Sequence, residues 1–566
     1  MLIMIKRLFP LLLAIVTVAC KSPQLRPPAI GLIADSAMVV SAHPLASEVG
    51  ARILKQGGNA VDAAVATQLV LAVVYPSAGN LGGGGFMVLR KHDGTLHSLD
   101  YREKAPELSY TDMYLDETGK VKRGLSEKGH LSSGVPGSVA GMFESHARHG
   151  FLSWKELVQP AVDLALAGFP VTPRQAHSLN DLQDTLRRYN TITPEFLLKE
   201  WHEGDTIVWE DLGHTLERIR DEGAAGFYRG KTADDIVAEM RRGNGLITHA
   251  DLQAYQPVWR SPVTGTYKDF KVISMGPPSS GGIALLQLLS SVEKYPIQEW
   301  GHNAPKTVHL MTEAQRRVYA DRAAWLGDPD FFKVPVSQMI SKSYNESRMR
   351  SFDPRKATPS KVIREGDALK ESHETTHLSV VDQYGNAVAV TTTLNDSYGS
   401  AVVVAGSGFF LNDEMDDFSI KPGEPNMYGV TGGEANKIEP NKRMLSSMTP
   451  TILERNGKLF MVLGTPGGST IITSVFQTIV NVIEFEMHMQ QAVNAKRIHS
   501  QWLPEVVFPE SGALSNQDSL TLVSMGHRFD AEYWDGIGRV DAIRVLPDGR
   551  LEGGADPRGD DASAGW

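Results

Sequence analysis

This chain of 566 residues holds a single cysteine, Cys20, so no disulfide can form within it. Basic excess is missing too. Lysine and arginine number 56 against 66 aspartates and glutamates, and a formal net charge of −10 argues against nucleic acid as a partner. Beyond the N-terminus no window is apolar enough to span a membrane. Val61–Tyr75 is interrupted by Asp62, Thr67 and Gln68 and ended by Pro76, so it reads as a core helix. The Gly82–Gly85 run has no Gly-Lys-Ser/Thr after it, which excludes a phosphate-binding P-loop, and no G-x-S-x-G elbow stands out. His130, His149 and the other scattered histidines lack metal-ligand spacing, and no repeat or low-complexity tract is visible. Nothing in these patterns calls for a cofactor. What remains is a composition 42% hydrophobic and 22% charged, that of a globular protein with a large core.

The N-terminus carries its own message. Lys6-Arg7 precedes an apolar stretch, Leu8–Ala19, of signal-peptide length. Cys20 follows at once, and a lone cysteine there favours a bacterial lipoprotein attachment site over an ordinary secretory signal cut near Ala19. The usual lipobox prefers leucine where Thr17 stands. Either way the protein is expected to be exported to the periplasm, and more than one acyl chain on Cys20 would anchor it stably. Residues 21–35, with prolines at 23, 27 and 28, read as a tether.

The richest stretch begins at His373-Glu374-Thr375-Thr376-His377. It matches the zinc-protease pattern H-E-x-x-H, which needs a helix to bring its two histidines to one metal. The surroundings point elsewhere. Two threonines poor at forming helix are followed by Leu378–Val381, a turn at Asp382-Gln383-Tyr384-Gly385-Asn386, and Ala387–Thr393, rich in β-branched residues. That is a hairpin, and in a strand residues four apart stand roughly 13 Å from each other, too far for one zinc ion. A turn centred on Tyr384 sets Thr375 opposite Thr393, with Cβ atoms roughly 4.5–5.5 Å apart. The pair is either an ordinary cross-strand contact or one hydroxyl positioning another for attack.

Thr375 to Asn395, the Pro440–Pro450 run Pro-Asn-Lys-Arg-Met-Leu-Ser-Ser-Met-Thr-Pro, and Gly464-Thr465-Pro466-Gly467-Gly468-Ser469 together resemble the small subunit of γ-glutamyltranspeptidases. Gly79–Met87, Tyr101–Pro106, Pro277–Gly282, and Tyr319–Arg322 through Asp330 resemble large-subunit motifs in the same order. The resemblance implies a four-layer αββα sandwich of the N-terminal-nucleophile hydrolase class, in the α/β class. It also implies a precursor that cuts itself between Glu374 and Thr375. The chemistry makes sense of the cut. A threonine hydroxyl needs an adjacent base, and a freed α-amino group, with a pKa of roughly 7.7–8.0, supplies one where an amide nitrogen cannot.

By the same resemblance Thr375 is the nucleophile, Thr393 its hydroxyl partner, and Gly467 and Gly468 the donors to the oxyanion. Asn395, Glu414 and Asp417 take the ammonium of a γ-glutamyl group, and Arg102, Ser446 and Ser447 its carboxylate, the guanidinium suiting it in bidentate fashion. The loop Lys421–Gly429 is a lid with Tyr428 as its gate. The implied organisation is 1–20 signal, 21–35 tether, 36–374 large subunit and 375–566 small subunit, the last two pairing as a heterodimer. Expected substrates are glutathione and other γ-glutamyl compounds, with water or an amino acid or peptide as acceptor. Alternatives are a family acylase on other γ-glutamyl or glutaryl amides, a zinc metalloprotease through His373 and His377, and a non-catalytic surface lipoprotein. Periodicity adds helices over Trp154–Ala167, Lys231–Arg242, His309–Leu326 and Thr470–Ile483, and a large segment mostly helical after Phe143.

Overall fold

Ala387–Thr393 is a central strand buried on both faces, which is why it reads as a nearly continuous β-branched run. It belongs to a computed structural model that describes residues 29–194, 197–363, 375–421, 433–530 and 536–566. The signal stretch, Cys20, His373, Glu374 and Tyr428 therefore lie outside the described residues.

Thr376–Val381 pairs antiparallel with this strand through the Asp382–Asn386 turn, in the register Thr376↔Thr392 through Val381↔Ala387. The Asp382 carboxylate closes the turn by accepting from the backbone N–H groups of Tyr384 and Asn386. The expected hairpin and its centre at Tyr384 are both present. Outwards the sheet runs Ala562–Gly565, Met38–Ser41, Thr376–Val381, Ala387–Thr393, Gly84–Arg90, Leu96–Tyr101 and Val258–Arg260. A second antiparallel sheet runs Ile33–Ala34, Leu551–Gly554, Asp541–Val545, Lys458–Gly464, Thr451–Arg455, Phe270–Ser274 and Val263–Tyr267. Both sheets contain strands from before and from after Thr375, so neither segment builds a sheet alone.

Period-two alternation sorts the layers. Leu378, Val380, Val388 and Val390 face the helix Ala60–Val74, all fifteen residues of which are buried. Asn59 and Asp62 cap that helix reciprocally. Val381, Ala387 and Ala389 face the other way and meet Ile273, Ile452, Val462 and Ile543 between the sheets. Helices Gly281–Val292, Pro305–Trp325 and Thr470–Ile483 cover the far side of the second sheet. The result is the expected αββα sandwich.

Two helices, Trp154–Ala167 and Thr470–Ile483, have the ends their periodicity predicts. The expected Lys231–Arg242 extends to Gly230–Gly243, and the expected His309–Leu326 starts earlier, at Pro305, because a proline suits the first turn. The region after Phe143 is less uniformly helical than its pattern suggests, since Val258–Arg260, Val263–Tyr267 and Phe270–Ser274 are strands. A strand also begins at Ile33, inside the stretch read as tether.

Candidate active site

The alternation that buries Val381 between the sheets also turns Thr375, His377 and Ser379 toward that space. At its open end Thr375, 4% exposed, donates from its hydroxyl to Thr393 Oγ1 at 3.4 Å. Thr393 Oγ1 also accepts from the Asn395 backbone N–H at 2.8 Å. Asn80 donates to the Thr393 carbonyl at 2.9 Å and accepts from Gly83 N–H and the Ser138 hydroxyl. The Gly82–Gly85 run permits this close approach: a Cβ on Gly83 would stand 2.0 Å from the Thr393 carbonyl oxygen.

Further along the same strand face sits His377, and it is no metal ligand. Its ring nitrogens contact Thr391 Oγ1 at 2.9 Å and Ser379 Oγ at 3.1 Å, and full burial lowers its pKa to about 3. His377 lies in a strand rather than on a helix face, which corrects the zinc alternative, and no metal-holding cluster occurs among the described residues.

A pocket of about 270 Å³ opens at Thr375, lined by Arg102, Thr393, Asn395, Glu414, Asp417, Ser446, Ser447 and Gly468 among others. Nine residues singled out in the sequence thus share one cavity. Gly467 lies beside it, and Gly467 and Gly468 have φ of +129° and +54°, conformations that favour glycine. They precede Thr470–Ile483, which buries Ile471, Ile472, Val475, Phe476, Ile479 and Val480. At roughly 1.5–3 kcal/mol for each such side chain, this packing fixes the helix start and the glycine pair with it. The Gly467 and Gly468 N–H groups donate to no acceptor among the described residues.

The opposite wall is ionic. Arg102, 1% exposed, pairs with Glu414 at 2.6 Å and with Glu103 at 3.4 Å, and makes a short contact with Asp417. Its remaining N–H groups reach the carbonyls of Met444 and Leu445. Burial alone would lower the Arg102 pKa, but Glu414, Glu103 and Asp417 reverse that and raise it. Burial lifts Glu103 to about 7 against the pull of Arg102, and lifts Glu414 well above the carboxylate range. Glu103 Oε1 and Glu414 Oε1 find no hydrogen-bond partner among the described residues. Sequence reasoning gave the carboxylate role to Arg102 and the ammonium role to Glu414 and Asp417. Here these groups pair with one another, because unlike charges buried in one pocket neutralise each other when no ligand separates them.

Ser446 and Ser447 are held from below. Ser446 N–H donates to the Pro278 carbonyl at 3.0 Å, and Ser280 donates twice to the Ser446 carbonyl. Arg322 donates to Ser447 Oγ at 2.7 Å and to Ser280 Oγ at 2.9 Å. Glu103, Asn80, Arg322 and Ser280 were missed as individual site residues, although each lies in a motif quoted for the resemblance.

Comparison with known proteins agrees with this arrangement. The family model described as Gamma-glutamyltranspeptidase matches residues 46–566. A glutathione hydrolase proenzyme of Escherichia coli K12 is 44% identical over 539 residues, covering 94% of this chain and 92% of the relative. A protein of the same description from Pseudomonas aeruginosa PAO1 is 46% identical over 532 residues, covering 93% and 94%. Among solved structures, a cephalosporin acylase from Bacillus halodurans aligns with a TM-score of 0.84 at 27% identity, covering 97% of this chain and 99% of that one. With one family model spanning nearly the whole chain and relatives alike along their full lengths, this protein belongs to the gamma-glutamyltranspeptidase family.

Proposed function

We propose that the protein is a γ-glutamyltransferase that also hydrolyses glutathione, working through Thr375 as a self-generated N-terminal nucleophile. The observation that carries this reading is the Thr375–Thr393 hydroxyl contact at the mouth of a pocket whose far wall is Arg102, Glu414 and Asp417. The described relatives add weight, since two are named glutathione hydrolase proenzymes.

In the precursor the Thr375 hydroxyl attacks the Glu374 carbonyl, the peptide nitrogen leaves, and water hydrolyses the resulting ester. This frees the Thr375 α-amino group. That amine then takes the hydroxyl proton as Oγ1 attacks the γ-glutamyl carbonyl. The Gly467 and Gly468 N–H groups donate to the oxyanion, a contribution of roughly 2.7–4 kcal/mol per donor in comparable sites. The proton passes to the leaving amine, cysteinylglycine when glutathione is the substrate, and a γ-glutamyl ester remains on Thr375. Water then releases glutamate, or an acceptor amine takes the γ-glutamyl group, so the kinetics are ping-pong.

The wall explains selection at the amino-acid end. Arg102, Ser446 and Ser447 receive its carboxylate, while Asn395, Glu414 and Asp417 receive its ammonium. Binding of that zwitterion exchanges the internal pairs of Arg102 for pairs with the ligand. A glutaryl amide lacks the ammonium, so a wall with three carboxylates favours γ-glutamyl substrates over the acylase alternative. The family resemblance assigns Tyr428 the role of gate, and the N-terminal stretch exports the protein, with Cys20 its lipid attachment site.

The test is denaturing electrophoresis of purified protein with N-terminal sequencing of each band, beside Thr375→Ala, and glutathione assayed against a glutaryl amide. Two fragments, the smaller beginning Thr-Thr-His-Leu, that become one chain in the variant are expected. An uncut wild-type chain that still hydrolyses glutathione would refute the nucleophile assignment.

A further inference from the structure

Asn395, which lines the pocket, stands in a positive-φ conformation. Its φ is +80°, a region that asparagine adopts more readily than other non-glycine residues but that its neighbours must still select over the ordinary ones. What holds it can be traced outward. Its side-chain amide donates to the Asp413 carbonyl at 3.0 Å, and the next residue, Asp396, donates its backbone N–H to Asp413 Oδ1 at 2.9 Å. The Asp413 N–H in turn donates to the Leu394 carbonyl at 2.9 Å. Asp413 thus clasps the backbone on both sides of Asn395, and Glu414 follows it directly in the chain.

Asp413 is fully buried, with a second carboxylate, Asp396, close by. Two carboxylates this close need a cation. Lys128 is that cation. Its ammonium lies 2.8 Å from Asp396 Oδ2 and 3.4 Å from Asp413 Oδ2, and it donates to the Gly399 carbonyl at 2.6 Å. The Gly129 N–H donates to the Ser400 carbonyl at 2.8 Å, docking the Lys128 loop on the same turn. Lys128 lies far from Thr375 in sequence, in a loop with no part in the chemistry above.

We propose that Lys128 is a positioning residue for the amino-acid end of the substrate: by bridging Asp396 and Asp413 it keeps Asn395 in its left-handed conformation, lining the pocket. The inference rests on the γ-glutamyl reading of that pocket. It carries a pH signature. Burial, opposed by Lys128 and aided by Asp396, pushes the Asp413 carboxyl up to about 7. The charged groups facing it are Lys128, Asp396 and Glu414. As pH falls through that value Asp413 takes up a proton, its attraction for Lys128 is lost, and the clasp on Asn395 loosens.

The experiment follows hydrolysis of γ-glutamyl-p-nitroanilide by the full chain from pH 5.5 to 9, for wild type, Lys128→Met, Lys128→Arg and Asp413→Asn. Lys128→Met raises KM about ten-fold, the size of one charge-assisted hydrogen bond, with kcat within about two-fold. Lys128→Arg restores most of the loss. Wild-type KM climbs below about pH 7, and Asp413→Asn, which still accepts from Asp396 but does not titrate, flattens that limb. A processed Lys128→Met enzyme with wild-type KM overturns the proposal while leaving the γ-glutamyl reading intact. A wild-type enzyme inert toward the anilide defeats that reading itself. Should Lys128→Met fail to fold, an Asp413→Asn enzyme that keeps the wild-type pH limb overturns the proposal equally.

Discussion

Among the buried ion clusters of the described residues, two are built on opposite plans. In the first, Arg497 and Arg558 face Asp556 and Glu510, two cations for two anions. Every oxygen of both carboxylates accepts twice: Asp556 from Arg497, Arg558 and the N–H groups of Val540 and Arg558, and Glu510 from Arg558 and the N–H groups of Arg497 and Ile537. In the second, Arg102 alone faces Glu103, Glu414 and Asp417, and oxygens of Glu103 and Glu414 lack hydrogen bonds among the described residues. The balanced cluster holds Asp556 below the usual carboxylate range despite its burial, while the unbalanced one pushes Glu103 up to about 7. The contrast lies in the carboxylate oxygens: those of Asp556 and Glu510 are all hydrogen-bonded, whereas those left without hydrogen bonds at Arg102 suit a wall that receives a ligand. One guanidinium among three acids leaves the wall of Arg102 short of positive charge, and an ammonium would reduce that deficit.

Substitutions can sharpen or break this contrast. The largest effect is on neither cluster but on Thr375, which shares its pocket with Arg102. Thr375→Ala abolishes self-cleavage and lowers glutathione hydrolysis by at least about 10³-fold, read by electrophoresis and single-turnover rates. Next, Asp556→Asn leaves Arg497 and Arg558 short of a counter-charge and destabilises the fold by roughly 3–5 kcal/mol in denaturant titration, with KM of the folded enzyme unchanged. Glu414→Gln shows the reverse: unfolding free energy holds or rises, and KM for γ-glutamyl substrates rises about ten-fold through the lost ammonium contact. If Glu414→Gln unfolds the protein and Asp556→Asn does not, the contrast between the clusters is wrong.

Smaller effects depend on pH. A carboxyl raised to about 7 in the folded chain is penalised above that value and free of penalty below its ordinary value near 4.5. Glu103→Gln therefore stabilises at pH 8 by on the order of 1 kcal/mol and has little effect at pH 4, a difference that melting curves at the two values reveal. Catalysis has its own sign: kcat rises with pH through roughly 7.7–8.0 as the Thr375 α-amino group loses its proton and becomes a base. A limb centred well below 7 would point to a different base.

Much of the site was legible before any coordinates. The hairpin followed from β-branched runs around Asp382–Asn386, and its register brought Thr375 to Thr393 because side chains on a strand repeat every two residues. The helix Thr470–Ile483 that follows the glycine pair was where its periodicity put it. The pocket roles of Arg102, Glu414, Asp417, Ser446 and Ser447 came through resemblance, since nothing near Arg102 in sequence distinguishes it from a surface arginine. Lys128 carried no signal of any kind.

The chain alone therefore determined what local forces govern: periodicity, turn chemistry, caps, and which residues could carry charge or a nucleophile. Only the tertiary structure decided the balance of charge. Glu103 becomes a carboxyl raised to about 7, and Arg102 a guanidinium shared by three acids, only when segments hundreds of residues apart meet away from water. Burial and neighbours set a group's energy, and both are properties of the packed fold rather than of its sequence neighbourhood.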